Sequence, residues 1–535
     1  MFSSTMNAVF LSLLLLTSVA WSQAHSCEDL KKLSVPETKI ISAEAVGAGA
    51  LQLTGNQEAD REAFRRLPAF CRVVLEIDPV ADSRIPVELW MPADGWNGKF
   101  LGVGNGGFAG QISYQELAIA VSLGYAGAAT DTGHQGSAID ASWALGHPQQ
   151  VIDFGYRAVH EMTMKSKVLV QSYYPAPLQH SYFAACSDGG REALMEAQRF
   201  PTDYDGILAG APAYNWSHLL ANAVYNSRAL TLSSSSYIPA EKLPAISAAV
   251  LAACDKNDGL ADGVINDPRT CHFDPSVLLC KGADAAGCLT QPQITALRAL
   301  YSGAHNSAGR SIFPGYLPGG ELGVGGWGLW IVGHAPNTSL MYLFGTGYFA
   351  NMVYDDPHWD YKTFTPDRGL ADGVKKTAPE LDATDPDLRA FAKRGGKLIL
   401  YHGWNDAAIS ALSTIDYYNK VRTVMGPKSE DSFLRLFMVP GMQHCSGGPG
   451  PDSFGQWGAT TASGPDDAQH DVLLALEQWV EKGPAPESII AAKYGGEGGG
   501  RKTTNTRPLC AYPKVARYKG TGSTEDAASF VCTTE

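Results

Sequence analysis

Two short stretches constrain this chain more than any others. In AACSDGGREA a cysteine, Cys186, stands directly before Ser187; in VPGMQHCSGG another, Cys445, stands directly after His444. A disulfide between them holds their Cα atoms within about 4.4–6.8 Å. Any fold with that bond must carry a segment from the second quarter of the chain to one in the last. The cysteine inventory allows it. There are ten, at positions 27, 71, 186, 254, 271, 280, 288, 445, 510 and 532, and no C-x-x-C pair that would indicate a zinc ribbon or a dithiol redox site. Sequence does not fix connectivity, but proximity along the chain favours Cys254–Cys271, Cys280–Cys288 and Cys510–Cys532. Pairing Cys27 with Cys71 then leaves Cys186 for Cys445.

Disulfides require an oxidising compartment, and the N-terminus offers a route to one. MNAVFLSLLLLTSVAWSQAHS holds an apolar run of signal-peptide length, followed by Ser22-Gln23-Ala24 as an A-x-A-like cleavage site. The expected signal peptide is 1–24, with the mature chain secreted or periplasmic. The run falls short of the roughly 20 apolar residues that span a bilayer. No later stretch is long and apolar enough either, so no membrane partner is expected. Net charge is −13, the wrong sign for neutralising phosphates, which argues against nucleic acid. With 535 residues, 45% hydrophobic and 18% charged, the composition is that of a soluble globular protein too long for one compact core. Two units, or one domain with a large insertion, are expected.

Strand and helix patterns alternate in the first part of the mature chain. RVVLEIDP and IPVELWMP alternate apolar and polar residues as half-buried strands do, whereas KFLGVGNGG and YAGAATDTGH read as buried strands running into loops. FGYRAVHEMTMKSKVLVQSYY has helical spacing, and HSYFAACSDGGREALMEAQRF reads strand, sharp turn, helix. Such alternation predicts a mostly parallel sheet. From about 216 to 390 the pattern gives way to serines, glycines, prolines, aromatics and four of the cysteines. GGELGVGGWGLWIVG and TGYFANMVYDDPHWDYKTF are expected to be loops with exposed aromatics, a lid rather than a sheet. Alternation returns with the strand and loop GGKLILYHGWNDAAIS, the helix STIDYYNKVRTVM, the strand FLRLFMVPGMQHC and the amphipathic helix DAQHDVLLALEQWVEKG. Residues 25–215 and 391–535 are therefore expected to form one α/β core, interrupted by a lid domain at 216–390.

ACSDG is close to the G-x-S-x-G elbow of α/β-hydrolases, in which a serine rides a tight strand-to-helix turn with its hydroxyl exposed. Ala185 replaces the first glycine, one small residue for another. In that fold the acid and then the histidine follow the serine along the chain. Asp406 lies in the loop after the strand LILYHG, and His444 in the glycine-rich loop after the next strand. Both are at carboxyl ends, where such sheets keep their sites. The expected triad is Ser187, Asp406 and His444; His402, four residues before the acid, is read as structural support. General-base catalysis needs serine and histidine within hydrogen-bond reach, and a Cys186–Cys445 disulfide fixes the backbone beside both. The backbone amide of Asp188 and one from GNGGFAG, either Gly106 or Gly107, are expected to form an oxyanion hole. The Asp188 carboxylate is expected to point away from it.

The chain also resembles a known family, the tannases and feruloyl esterases. CSDGGREALMEAQRFPTDYDGILAGAPA looks like the family's nucleophile segment, HGWNDAAIS and PGMQHC like its acid and base segments, and RPLCAYPKVARYKGTGSTEDAASFVC like its C-terminus. The resemblance implies an α/β-hydrolase core with a lid, and a serine esterase with Ser187 as nucleophile, Asp406 as acid and His444 as base. Paired cysteines beside serine and histidine are its signature. The resemblance also bears on CDKNDGLADGVINDPRTC. There Asp255, Asp258 and Asp262 are closely spaced hard ligands suited to calcium, yet Asn266 stands where an EF-hand needs glutamate. On chemistry alone, a solvated acidic turn fits equally well. The resemblance implies structural calcium in the lid, held by Asp255, Asp258 and Asp262 and by the carbonyls of Leu260 and Val264.

These readings predict a secreted or periplasmic serine carboxylesterase that works through an acyl-enzyme with no organic cofactor. By resemblance the substrate is a small ester of an aromatic acid, a feruloyl or galloyl ester of plant cell-wall or tannin origin. Trp327, Trp330, Tyr348 and Phe349 of the lid are candidates for apolar walls, or else simply lid core. The family also includes mono(2-hydroxyethyl) terephthalate hydrolase, so a terephthalate monoester is an alternative substrate. A non-catalytic relative that binds through its lid is a further alternative, disfavoured by an intact serine, acid and histidine. Asn215 and Asn337 lie in N-x-S/T glycosylation sequons. The sequence specifies no oligomeric state.

Overall fold

The apolar runs and alternations resolve into nine strands of one sheet in the computed structural model, which describes residues 26–53, 62–457, 467–495 and 502–534. The expected signal peptide, 1–24, lies outside the described residues. The strands are β1 (Thr38–Val46), β2 (Phe70–Ile77), β3 (Ile85–Pro92), β4 (Lys99–Val103), β5 (Ala126–Thr130), β6 (His180–Cys186), β7 (Gly206–Gly210), β8 (Lys397–Gly403) and β9 (Leu434–Val439). Their spatial order is β1-β2-β3-β5-β4-β6-β7-β8-β9. β1, β2 and β3 pair antiparallel, β3 meets β5 antiparallel, and from β5 to β9 every pairing is parallel. This is the sheet of an α/β-hydrolase.

Burial follows from where each strand lies. β6 is buried from Ser181 to Cys186, as a parallel strand covered on both faces must be. Its side chains alternate between two cores. Phe183 and Ala185 pack with residues of α2 (Ala158–Tyr173) and α3 (Asp188–Arg199), among them Met162 and Leu194. Tyr182 and Ala184 face the opposite core, which contains Leu117 of α1 (Tyr114–Ser122). Period-2 side chains thus sort the helices onto the two faces.

Much of the inserted region is helical and its aromatics are buried or half-buried, which corrects the expectation of exposed aromatics; GGELGVGGWGLWIVG is the expected loop, with one helical turn at Trp327–Trp330. The insertion holds α4 (Trp216–Thr231), α5 (Leu243–Cys254), α6 (Gln291–Ser302), α7 (Leu340–Gly347) and α8 (Pro366–Leu381), and among the described residues its strand pairing is one short hairpin, Gly303–His305 with Ser311–Pro314. α7 runs on through a widened turn at Tyr348–Val353, so TGYFANMV is helix, and Tyr348 and Phe349 are fully buried. Gly345 reads as a helix breaker in the sequence, but here it serves close packing. A Cβ on it would lie 3.0 Å from Val224 of α4. The two ends of the insertion meet: the Ala383 amide donates to the Tyr214 carbonyl (2.7 Å), and Asp382 accepts from the amide and hydroxyl of Ser217 (2.8 and 2.6 Å).

Beyond the insertion come α9 (Ala411–Met425) and α10 (Val472–Lys482), then two antiparallel pairs, Ser488–Gly495 with Lys502–Cys510 and Val515–Tyr518 with Phe530–Thr533. Five disulfides close the chain: Cys27–Cys71, Cys186–Cys445, Cys254–Cys271, Cys280–Cys288 and Cys510–Cys532. Three are the pairings that proximity along the chain favoured, and the other two follow once Cys27 is paired with Cys71.

Candidate active site

Ser187 occupies the turn between β6 and α3 with φ 69° and ψ −121°. Left-handed backbone at a non-glycine residue costs about 1–3 kcal/mol and persists only where the surroundings hold it. Here they do. The Ser187 amide donates to the Gly210 carbonyl (3.0 Å), and its carbonyl accepts from Arg191 (3.2 Å) and Ala213 (3.0 Å). Space is as tight as the hydrogen bonding: a Cβ on Gly189 would lie 2.5 Å from the Ala185 Cβ, and one on Gly104 2.7 Å from it. Those two glycines explain why alanine replaces the first glycine of the elbow motif at no cost. The Asp188 carboxylate is turned to Arg191, whose Nε donates to Oδ1 at 2.7 Å. The other Arg191 nitrogens donate to the carbonyls of Gly155 and Phe154 (2.7 and 2.9 Å), tying the helix start to the neighbouring layer. The Asp188 amide, in the first turn of α3, has no intrahelical acceptor.

Parallel pairing of β7, β8 and β9 brings the loops after β8 and β9 to the same edge as Ser187. His444 Nε2 lies 2.9 Å from Ser187 Oγ, and Nδ1 lies 2.8 Å from Asp406 Oδ2. The carboxylate is an acceptor, so Nδ1 carries the hydrogen and Nε2 accepts from the serine hydroxyl. Asp406 is buried, and its Oδ1 accepts from the amides of Ala408 and Ile409, each at 2.8 Å. Burial alone would raise its pKa. The charge of His444 and the hydrogen bonds from His402 and His444 outweigh burial and hold the carboxyl well below the usual carboxylate range. The Cys186–Cys445 disulfide sits beside this contact, with its Cα atoms 6.0 Å apart.

The loop after β4 lies over α3. Of the two candidate glycines, Gly106 is exposed with open space where a Cβ would be, whereas a Cβ on Gly107 would collide with the Ala138 carbonyl. Two buried polar residues that sequence reasoning missed hold this loop. Glu192, one turn along α3 from the serine, accepts from the Asn105 amide at 2.9 Å. His134 donates from Nε2 to the Phe108 carbonyl (2.7 Å) and stacks on Trp143 at 3.7 Å. Burial pushes the His134 pKa down to about 4, so the ring is a neutral donor at working pH. The available signal was slight: one of several charged residues in a polar helix, and a histidine in a glycine turn.

The lid supplies one wall. Of the four aromatics named from the sequence, Trp330 meets the catalytic loops, edge to face with His444 at 5.0 Å. Trp327, Tyr348 and Phe349 are buried lid core. One ring not foreseen extends the wall: half-buried Phe344 stacks on Trp330 (6.2 Å) and is backed by the fully buried Phe108 of the glycine loop (5.3 Å). The residues next to the acid and the base both grip the glycine-rich segment that leads to Trp330. Asn405 Nδ2 donates to the Gly319 carbonyl at 2.6 Å, and Gln443 Oε1 accepts from the Gly325 amide at 3.0 Å.

A family model described as tannase and feruloyl esterase matches residues 71–533. The chain belongs to the tannase and feruloyl esterase family. An uncharacterized esterase of Xanthomonas campestris pv. campestris is 44% identical over 541 residues, covering 97% of this chain and 92% of that protein. The crystal structure of feruloyl esterase B from Aspergillus oryzae superposes with a TM-score of 0.85 at 31% identity, covering 95% of this chain and 99% of that one. Tannin acyl hydrolase from Aspergillus niger superposes with a TM-score of 0.73 at 25% identity, covering 94% and 92%. As a member of the tannase and feruloyl esterase family, the protein is a carboxylic ester hydrolase.

In this tannase-family chain the acidic loop of the lid follows α5 and is closed by Cys254–Cys271. Asp255, Asp258 and Asp262 accept from the amides of Gly263 (3.0 Å), Leu260 (2.9 Å) and Val264 (3.1 Å). Arg507, from the C-terminal strand pair, donates to the second oxygen of Asp262 at 2.8 Å. Burial raises the Asp258 pKa above its ordinary value, and the charges of Asp262 and Asp255 push the same way. Closely spaced carboxylates are hard oxygen ligands of the kind a divalent cation takes, but here Arg507 already neutralises Asp262 and the three carboxylates are not gathered within ligand reach of one another. A cavity of about 440 Å³ opens beside the loop, bordered by Asn257, Asp258, His272 and Arg517. None of the residues around Ser187 borders it.

Proposed function

We propose that this esterase cleaves esters of aromatic acids through a Ser187–His444–Asp406 triad and an acyl-enzyme. Ser187 Oγ attacks the ester carbonyl carbon while His444 Nε2 takes its proton. The amide of Asp188 and that of Gly106 or Gly107 hold the oxyanion of the tetrahedral intermediate. Collapse breaks the ester C–O bond, and His444 returns the proton to the leaving alcohol. Water, deprotonated by the same nitrogen, then releases the acid and restores the serine. Asp406 keeps the imidazole oriented and stabilises its charged form. The observation that carries this reading is Ser187 Oγ, at a strained elbow, 2.9 Å from the nitrogen that must accept its proton.

Trp330 and Phe344 form the apolar wall against which a flat acyl group lies, with buried Phe108 packed behind Phe344; such surfaces favour offset or edge-on ring contacts. Feruloyl and galloyl esters are the substrate class, a choice supported by the feruloyl esterase and tannin acyl hydrolase relatives. Calcium in the lid is held by Asp255, Asp258 and Asp262 with the carbonyls of Leu260 and Val264. Its contribution is structural, and no step of the reaction passes through it. Secretion or periplasmic export accords with five disulfides; no helix among the described residues is long and apolar enough to cross a membrane.

The deciding measurement is kcat/KM for methyl ferulate against methyl gallate, with Ser187→Ala as control. Turnover of at least one ester, lost by several orders of magnitude in the control, is expected. Turnover of neither ester, nor of a terephthalate monoester, by folded protein would reject the reading.

A further inference from the structure

We infer that His402 is a positioning residue that sets the basicity of His444 through the Asp406 oxygen the two histidines share. The inference rests on the triad reading above. Asp406 Oδ2 lies 2.8 Å from His444 Nδ1 and 3.0 Å from His402 Nε2, while Oδ1 is already taken by two amides. All four contacts are with donors, so the carboxylate is held as an anion and its charge is divided among them.

The tautomer of His402 follows from its surroundings. Nε2 also lies 3.1 Å from the Ile409 carbonyl, so it faces two acceptors and must carry the hydrogen. Nδ1 lies 2.7 Å from Thr414 Oγ1, and that hydroxyl donates to it. A neutral imidazole therefore satisfies every partner, which suits a ring with no exposed surface. Three groups face the shared carboxylate. His402 comes from β8, His444 from the loop after β9, and Tyr316 from the lid. The Tyr316 phenol is pushed up by burial and by the Asp406 charge, and so stays neutral. Within this set, His402 is the neutral donor that competes with His444 for Oδ2.

Competition has a sign. The His402 hydrogen bond draws negative charge away from the side of Oδ2 that faces His444. Without it, more charge faces the imidazolium, which is stabilised, and the pKa of His444 rises. The acid limb of kcat/KM against pH reports the base of the free enzyme. In His402→Leu that limb is expected to move up by roughly one unit, equivalent to about 1.4 kcal/mol of altered interaction. His402→Gln keeps a donor near the Nε2 position and is expected to restore the wild-type limb.

A purely structural role would lower kcat and leave the limb where it was. An unmoved limb in folded His402→Leu therefore overturns the inference. If that variant does not fold, His402→Phe decides. It keeps a planar ring but removes the donor to Asp406, and the same upward shift is expected; no shift overturns the inference. The Ser187→Ala control separates the two layers. Wild-type turnover in that control rejects the triad itself, whereas its abolition together with unmoved limbs rejects only the role of His402.

Discussion

Asp131 illustrates how a single buried side chain near the site carries a pH dependence. It follows β5; its carboxylate accepts from the Gly133 amide at 2.9 Å, and its carbonyl from the Gly110 amide at 3.2 Å, bracing the glycine loop. Burial pushes its pKa up to about 7 against the pull of the backbone amides of Gly133 and of Asp131 itself, and the nearby Asp153 adds to the rise. A carboxyl with a raised folded pKa binds its proton more tightly when folded. Its stabilising contribution is fully present below the unfolded value near 4 and is lost as pH rises through about 7. Asparagine keeps the acceptor for Gly133 and does not ionise. Asp131→Asn is therefore expected to lose less Tm than wild type between pH 5 and pH 8. Parallel Tm curves for the two proteins would contradict the assignment.

At the scale of elements, the Cys186–Cys445 bond joins the end of β6 to the loop after β9 across 259 residues. The chain-entropy model assigns a loop of that length about 5 kcal/mol. Position matters more than that figure, because the bond fixes the backbone on either side of the Ser187–His444 contact. Misplacing reacting groups by about 1 Å can cost about 100-fold in rate. Changing both cysteines to alanine is thus expected to lower kcat/KM by a factor of that order at temperatures where the protein is still folded by circular dichroism. Near wild-type activity in the folded double variant would mean that the sheet alone sets the geometry.

On the scale of the whole molecule, the insertion is not a detachable cap. Its apolar cores take in Ala407, Ala408 and Ile409, the residues that follow Asp406, and Phe108 and Ala109 of the glycine loop. Arg507 links the acidic lid loop to the C-terminal strands. Lid stability and site geometry are therefore coupled through packing. If the lid holds calcium as proposed, removing it is expected to lower Tm, with recovery on adding calcium back, while kcat well below the transition changes less than about two-fold, since the proposed ion supplies no chemistry. An unchanged Tm together with no calcium by elemental analysis would remove the metal from the lid.

The sequence alone carried what short-range chemistry encodes. Strand-turn-helix around Ser187, and Asp406 and His444 each in the loop after a strand, were legible because turn residues and apolar runs act over a few positions. The disulfide pairings were legible through proximity and elimination. Tertiary structure decided the rest, for reasons of packing. β1 escaped notice because its burial is irregular and its pairing is bulged between Ile40 and Ser42. The lid read as loop because its glycines look like breakers, yet Gly345 is there to let α7 approach α4. Of the lid aromatics that could have been wall or core, Tyr348 and Phe349 are core, while Phe344, from outside the named set, stacks on Trp330. That His402 shares the Asp406 oxygen with His444 depends on where Thr414 and Ile409 present their oxygens, and no spacing along the chain states it.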